Sequence, residues 1–534
     1  MTGSLHTVLM GVVIALAAIV ADTGPATGQK RGGVLRMYSP DSPASMSILE
    51  EAHVFTQGPM MGVFNNLVMI DQRAGQSRLD AIVPDLATEW AWNEDGTALT
   101  FKLRQGVRWH DGRPFTAGDV LCTWDLLLEK APEKLRANPL RTVYDNLDRV
   151  SADGEYEVTF HVKRPQPGLP MQLAGGFAAI YPCHVPPARM RTHPIGTGPF
   201  KFVEYKPNEH IKVARNPEYW KPDRPYLDGI EYPIIRNPAT AVLAFVSGKV
   251  DMTFPNQLTM PLLKDVKNQV PGAICEIKPD GGVNRHLIIH REKPPFDNPG
   301  LRRAMALAID RKAFVDILSE GQGDIGGVLQ PPPGGLWGMP PERLRELPGY
   351  DPDVQRNRAE ARRIMEKLGY GPNNRLRIKL STRDIRPYRD PAVLLIDQLK
   401  QVYIDAELDP VETAVYFPKI RRRDFTVGLN AQTSGPDPDP ILALFYGCGS
   451  SLNWDGYCNP EIDRLIELQS IEADANKRKE LLWEIERRLA EDGARPIIFY
   501  NRAATCWQPY VKGVTLMDNS IFDPNRREDW WLDK

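Results

Sequence analysis

The stretch that most restricts what this chain can become runs from Pro84 to Glu129, PDLATEWAWNEDGTALTFKLRQGVRWHDGRPFTAGDVLCTWDLLLE. Leu99, Phe101 and Leu103 alternate with Thr100, Lys102 and Arg104, the period-two pattern of a strand with one buried face. Asn93-Glu94-Asp95-Gly96 supplies turn residues before it, with Gly96 free to take positive φ, so Glu89 to Trp92 folds back as the first arm of a hairpin. Gln105-Gly106 and Asp111-Gly112 mark two further turns around a short strand, Val107 to His110. Thr116, followed three residues later by Asp119, makes a capping box, which predicts a helix from Ala117 to about Lys130 with Val120, Trp124 and Leu127 on its inner face. These local rules give a small meander sheet with a helix laid on it.

The order of these residues also resembles the signature block of the bacterial extracellular solute-binding proteins of family 5. These are the peptide- and nickel-type receptors of ABC importers, marked by a "P-x-LA-x-x-W … DG … F-x-LR-x-GV-x-(F/W)-HDG-x-PF-x-A-x-DV" run. Each fixed position of that run is present here. Similarity extends along nearly the whole chain: KRGGVLRMY at Lys30 to Tyr38, IGTGPFKFVEY at Ile195 to Tyr205, NPEYW at Asn216 to Trp220, and PFDNPGLRRAMALAIDR at Pro295 to Arg311. The resemblance implies an α/β protein with the two-lobe architecture of a type II periplasmic binding protein and a small extra α/β domain inserted in the first lobe. The expected partition is residues 29–75, 192–285 and 505–534 for lobe I, 76–191 for the inserted domain and 286–504 for lobe II. A hinge between the lobes would close on the ligand and exclude water. Further elements read from the chain are an apolar strand Gly282 to His290, helices Leu301 to Glu320, Asp353 to Leu368 and Val393 to Gln401, and paired helices between Pro460 and Glu491.

Val8 to Ala21 is an apolar run too short for a bilayer of about 30 Å, which needs roughly 20 residues, and it fits the core of a secretory signal peptide within residues 1–28. No cysteine lies near its end, so a protein free in the periplasm is expected rather than a lipoprotein. Lys plus Arg, 66, nearly balances Asp plus Glu, 68, which leaves no electrostatic footprint for nucleic acid. An oxidising compartment lets Cys448 and Cys458, close together in a loop rich in Gly, Ser and Asn, form a disulfide. Cys122, Cys183, Cys275 and Cys506 are scattered among apolar neighbours and are expected as free thiols. Nine single histidines and the absence of CxxC spacing give no metal site, and no cofactor is expected. Gly321 to Gly326 spells G-x-G-x-x-G but follows a helix and leads into prolines, the wrong setting for a dinucleotide.

Candidate ligand contacts follow from the resemblance. Dipeptide-binding relatives use an Arg in an "RPY" stretch to meet the ligand carboxylate, which points to Arg386 and Tyr388; a solvated or capping arginine is the other reading. Where those relatives carry an Asp for the peptide ammonium, counting back from Cys448 places Ser434, which cannot neutralise a buried cation. Asp437 or Asp439 could substitute, their proline neighbours making loop rigidity the simpler role. Tyr38, at the far end of the first strand, would open into the cleft. The function these readings imply is capture of a peptide or peptide-like small solute for a membrane permease, by a monomer that is not an enzyme. A periplasmic hydrolase using cleft carboxylates and a binder serving a chemoreceptor are the competing classes.

Overall fold

The turn Asn93–Gly96 closes by a hydrogen bond from Gly96 N to Asn93 O of 3.1 Å, with Gly96 at φ +65° and the Asn93 side chain accepting from the N–H groups of Thr97 and Ala98. In this computed structural model the described residues are 28–51, 54–433, 435–450, 452–519 and 525–534; the apolar run Val8 to Ala21 lies outside them. The hairpin belongs to a four-stranded antiparallel sheet in the order Ala87–Trp92, Ala98–Leu103, Glu157–Val162, Leu147–Ala152. The helix Ala117–Leu127 lies on it, starting at the Thr116/Asp119 capping box. Val120, Trp124 and Leu127 are fully buried, and Trp124 meets Phe160 edge-on at 4.8 Å. The helix stops at Leu127, short of Lys130, because Glu129 takes a left-handed φ of 60°. Val107 to His110 makes no strand: Arg108 forms a single bridge to Pro114 across the Asp111-Gly112 turn.

A second sheet pairs Val34–Arg36 in parallel with Gly229–Pro233, followed by His210–Arg215 and Phe200–Lys206 antiparallel. This sheet and the meander share one continuous apolar core, which defines the first lobe together with its insert. The second lobe is built on a mixed five-stranded sheet ordered Ile404–Val411, Leu376–Arg383, Val427–Thr433, Ile274–Ile289, Ile497–Trp507. Leu287, Ile289, Val427 and Leu429 from its strands bury one face against the helices Pro299–Ala308, Arg311–Ser319 and Arg386–Lys400.

Two departures from the expected helices have local causes. The apolar period continues from Leu301 to Glu320, yet Ile309 is extended and the Asp310 side chain accepts from Ala313 N at 3.0 Å, so an N-cap splits one helix into two. The helix expected from Val393 begins at Arg386, because Pro387 falls in its first turn, where no N–H is needed. The cysteines expected as free are bonded. Cys275 and Cys506 are direct partners in the antiparallel pair with Cα atoms 4.1 Å apart. Asp119, besides capping, accepts from Cys183 N at 2.8 Å, which brings Cys183 to within 5.5 Å of the Cα of Cys122, one turn along the same helix. Cys448 and Cys458 are also bonded. Among the described residues no helix is long and apolar enough to cross a membrane.

Candidate solute site at the crossing strands

The strands Ile274–Ile289 and Ile497–Trp507 each run through both lobes. Cys506 and Ala504 belong to the first core, Leu287, Ile289, Ile498 and Phe499 to the second. Between the two halves the pairing slips, with Pro279 opposite Arg502 and Asn284 opposite Tyr500. The extra residues form a bulge in which Gly281 and Gly282 sit at φ +54° and +75°, a region that side-chain-bearing residues avoid. Such a bulge is where paired strands bend. Thr433 Oγ1 donates to the Gly281 carbonyl at 2.9 Å, tying the end of a second-lobe strand to the bulge.

Asp280, in this bulge, faces a cavity of about 100 Å³. The other walls come from the helix Val54–Met60, the segment 254–257 and the C-terminal stretch containing Met517, Arg527 and Trp530. Gln57 is 1% exposed, and neither atom of its amide has a hydrogen-bond partner among the described residues. Asn256 donates weakly to Pro279 O at 3.5 Å while its side-chain oxygen is unpartnered. Arg527 donates to Gly58 O and Asn525 O, and its guanidinium lies 5.5 Å from the Trp530 ring. The Asp280 carboxylate has neither hydrogen bond nor ion pair among the described residues. Burial pushes its carboxyl up to about 6, an effect that the Arg285 charge reduces.

The candidates from sequence are placed apart. Arg386 is the first residue of its helix, its side chain 89% exposed and paired with Asp390 at 3.0 Å. The guanidiniums of Arg285 and Arg383 lie 4.8 and 4.6 Å from the Tyr388 ring, and Arg285 Nε donates to Pro387 O. These groups gather on the second lobe. Tyr38 is 3% exposed within the first core. Asp437 caps the helix Pro438–Tyr446 and accepts two bonds, 2.9 and 3.0 Å, from Arg478 in a buried pair. Asp439 accepts from Gln469, Ser470 and, across from the inserted domain, Gln166 at 3.1 Å. Ser434 lies outside the described residues. Sequence reasoning did not single out Asp280 or Gln57, which line this cavity. The signal for the first was Asp-Gly-Gly directly before an apolar strand; for the second there was none. Among the described residues no group of three or more His, Cys, Asp or Glu could hold a metal ion.

The walls of the cavity carry the Asp280 carboxylate, the side-chain amides of Gln57 and Asn256 and the Arg527 guanidinium. The model for "Bacterial extracellular solute-binding proteins, family 5 Middle" matches residues 81–453. Di/tripeptide-binding protein 3 of Pseudomonas aeruginosa (strain UCBPP-PA14) is 26% identical over 498 residues, 87% of this chain and 88% of that one. Oligopeptide-binding protein AppA of Bacillus subtilis (strain 168) is 26% identical over 471 residues, 83% and 82% of the two chains. Among solved structures, DppA from Helicobacter pylori in complex with peptide STSA superposes with TM-score 0.79 at 22% identity, over 95% of this chain and 99% of that one. AgaA from A. tumefaciens R10 in complex with agropinic acid superposes with TM-score 0.75 at 20% identity, over 94% and 99%. The fold is the α/β fold of type II periplasmic binding proteins. With more than half of its length matched by the family model, the chain belongs to the bacterial extracellular solute-binding proteins of family 5.

Proposed function

We propose that this solute-binding protein is the periplasmic component of an ABC importer, taking a peptide or peptide-like small solute between its lobes and presenting it to a membrane permease as a monomer. The observation that carries this reading is the bulged pair of crossing strands beside a cavity that holds unpartnered polar groups. Such groups are costly to bury alone and gain most from a ligand that pairs with them. The names of its relatives, di/tripeptide- and oligopeptide-binding proteins, support a peptide as ligand. In this reading Arg386 and Tyr388 face the solute from lobe II, residues 286–504, and Arg386 meets an anionic end. Lobe I comprises 29–75, 192–285 and 505–534, with 76–191 inserted, and residues 1–28 are removed on export.

Native mass spectrometry of the protein purified from periplasm, before and after mild unfolding, tests the reading. Co-purified peptides of two to a few residues are the expected result. A non-peptide acid in their place would overturn the peptide assignment and leave solute capture standing. Turnover of model peptides by the purified chain would move the protein to the hydrolase class.

A further inference from the structure

Among the described residues, the acids around the crossing strands are, with one exception, paired. Asp324 accepts two bonds from Arg502, at 2.8 and 3.0 Å, and Asp518 pairs with Lys278 at 3.0 Å. Asp437 is held by Arg478, and Asp439 by Gln469 and Ser470. Asp280 alone among them faces a cavity without a partner. Beside it the same cavity is lined by Gln57, whose amide oxygen and nitrogen are both unsatisfied, and by Asn256, whose side-chain oxygen is unsatisfied. That set offers one negative charge and two amide acceptors, with Gln57 Nε2 the only unsatisfied amide donor.

We infer that Asp280 is the counter-charge for a cationic nitrogen of the bound solute, oriented by the side-chain oxygens of Gln57 and Asn256. An ammonium carries three donors on one atom, so it can satisfy all three acceptors together. A neutral or anionic head cannot, and would close over the half-buried carboxylate without pairing it. This rests on the reading of the cleft as a solute site and adds the chemical class of the group that enters it first. Among the described residues Arg285, on the same strand, and Arg527, in the cavity wall, are the charged groups around Asp280. Neither bonds to it: Arg285 donates to the carbonyls of Pro387 and Asn284, and Arg527 Nη1 to those of Gly58 and Asn525, while Arg527 Nε keeps one donor free for an acceptor atom of the same solute.

The test presents the full mature chain with two tripeptide mixtures, one with free amino termini and one N-acetylated, and with putrescine and agmatine, reading occupancy by native mass spectrometry and affinity by calorimetry. The free-amine mixture is expected to bind the unaltered chain about ten- to a hundred-fold more tightly than the acetylated one, the range of a charge-assisted hydrogen bond. D280N should erase that preference, and D280E should restore part of it. Without ligand, D280N should unfold at the same temperature as the parent or higher, since an unpartnered carboxylate stabilises nothing. Equal binding of both mixtures, a preference that survives D280N, or a ligand-free D280N that melts lower would each overturn the role of Asp280 while leaving peptide capture intact. Binding of the diamines but of neither peptide mixture, lost in D280N, would keep the inference and sink the peptide reading. Retention of none of the probes would sink both.

Discussion

Arg478 and Asp437 are 3% and 5% exposed, so their two hydrogen bonds replace water on both sides. Removing one partner strands a buried charge: Arg478→Ala is expected to cost about 3–5 kcal/mol in urea unfolding, with much of the loss recovered in an Asp437→Asn, Arg478→Met double variant. Glu486 behaves differently. It accepts from the N–H groups of Leu329 and Met339, at 2.9 and 2.8 Å, yet burial pushes its carboxyl up to about 7. Between the ordinary carboxylate range and about pH 7 the folded chain therefore holds a proton that the unfolded chain has released, and stability falls as pH rises through that window. His110 and His286, both pushed down by burial, pull the opposite way, but they act alike in wild type and Glu486→Gln. The stability of wild type minus that of Glu486→Gln should thus decline by up to about 1.4 kcal/mol per pH unit between pH ~5 and ~7 and then level off, as read from urea midpoints. Neither partner of these two residues was readable from sequence. Arg478 lies 41 positions from Asp437, and nothing local distinguishes it from the other arginines of its helix.

At the scale of elements, what was legible is what short-range chemistry decides. The hairpin at Gly96 and the Thr116/Asp119 cap follow from neighbours within five residues, and both form. The break at Ile309–Asp310 was written in the same code, but an unbroken apolar period hid it. The Cys275–Cys506 bond was invisible because it depends on the register of two strands 231 positions apart. Closing so long a loop gives that bond up to about 5 kcal/mol on a chain-entropy model, so the Cys275→Ser, Cys506→Ser double variant should lose a few kcal/mol in thermal unfolding, more than loss of the Cys448–Cys458 bond with its separation of 10. Gly282 tests the bulge itself. At φ +75° an added Cβ costs about 1–2 kcal/mol, and Gly282→Ala should show that loss by chemical denaturation.

For the whole molecule, the family and its two lobes were legible because one signature block fixes the topology around it, whereas the polar walls of the cavity come from four distant stretches of chain. The lobes also meet away from the crossing strands. Gln76 Nε2 donates to Pro333 O at 2.6 Å, Gln166 to Asp439, and Arg164 pairs with Glu467 at 3.2 Å. Removing Gln76 and Gln166 together (to Ala) should favour separated lobes, seen as a larger radius in small-angle scattering and a few-fold weaker ligand affinity with little change in unfolding temperature. A ligand at 100 times its dissociation constant should raise stability by about 2.7 kcal/mol. The walls of the cavity around Asp280 come from the first core, the C-terminal stretch and the bulge, and no helix of the second lobe contributes to them. If the proposed role of Asp280 holds, solute docks while the second lobe is still swung away, which sets an order of events: encounter first, enclosure afterwards. On that order, substitutions on the second lobe should lengthen or shorten residence, while those at Asp280 should change how often an encounter is kept.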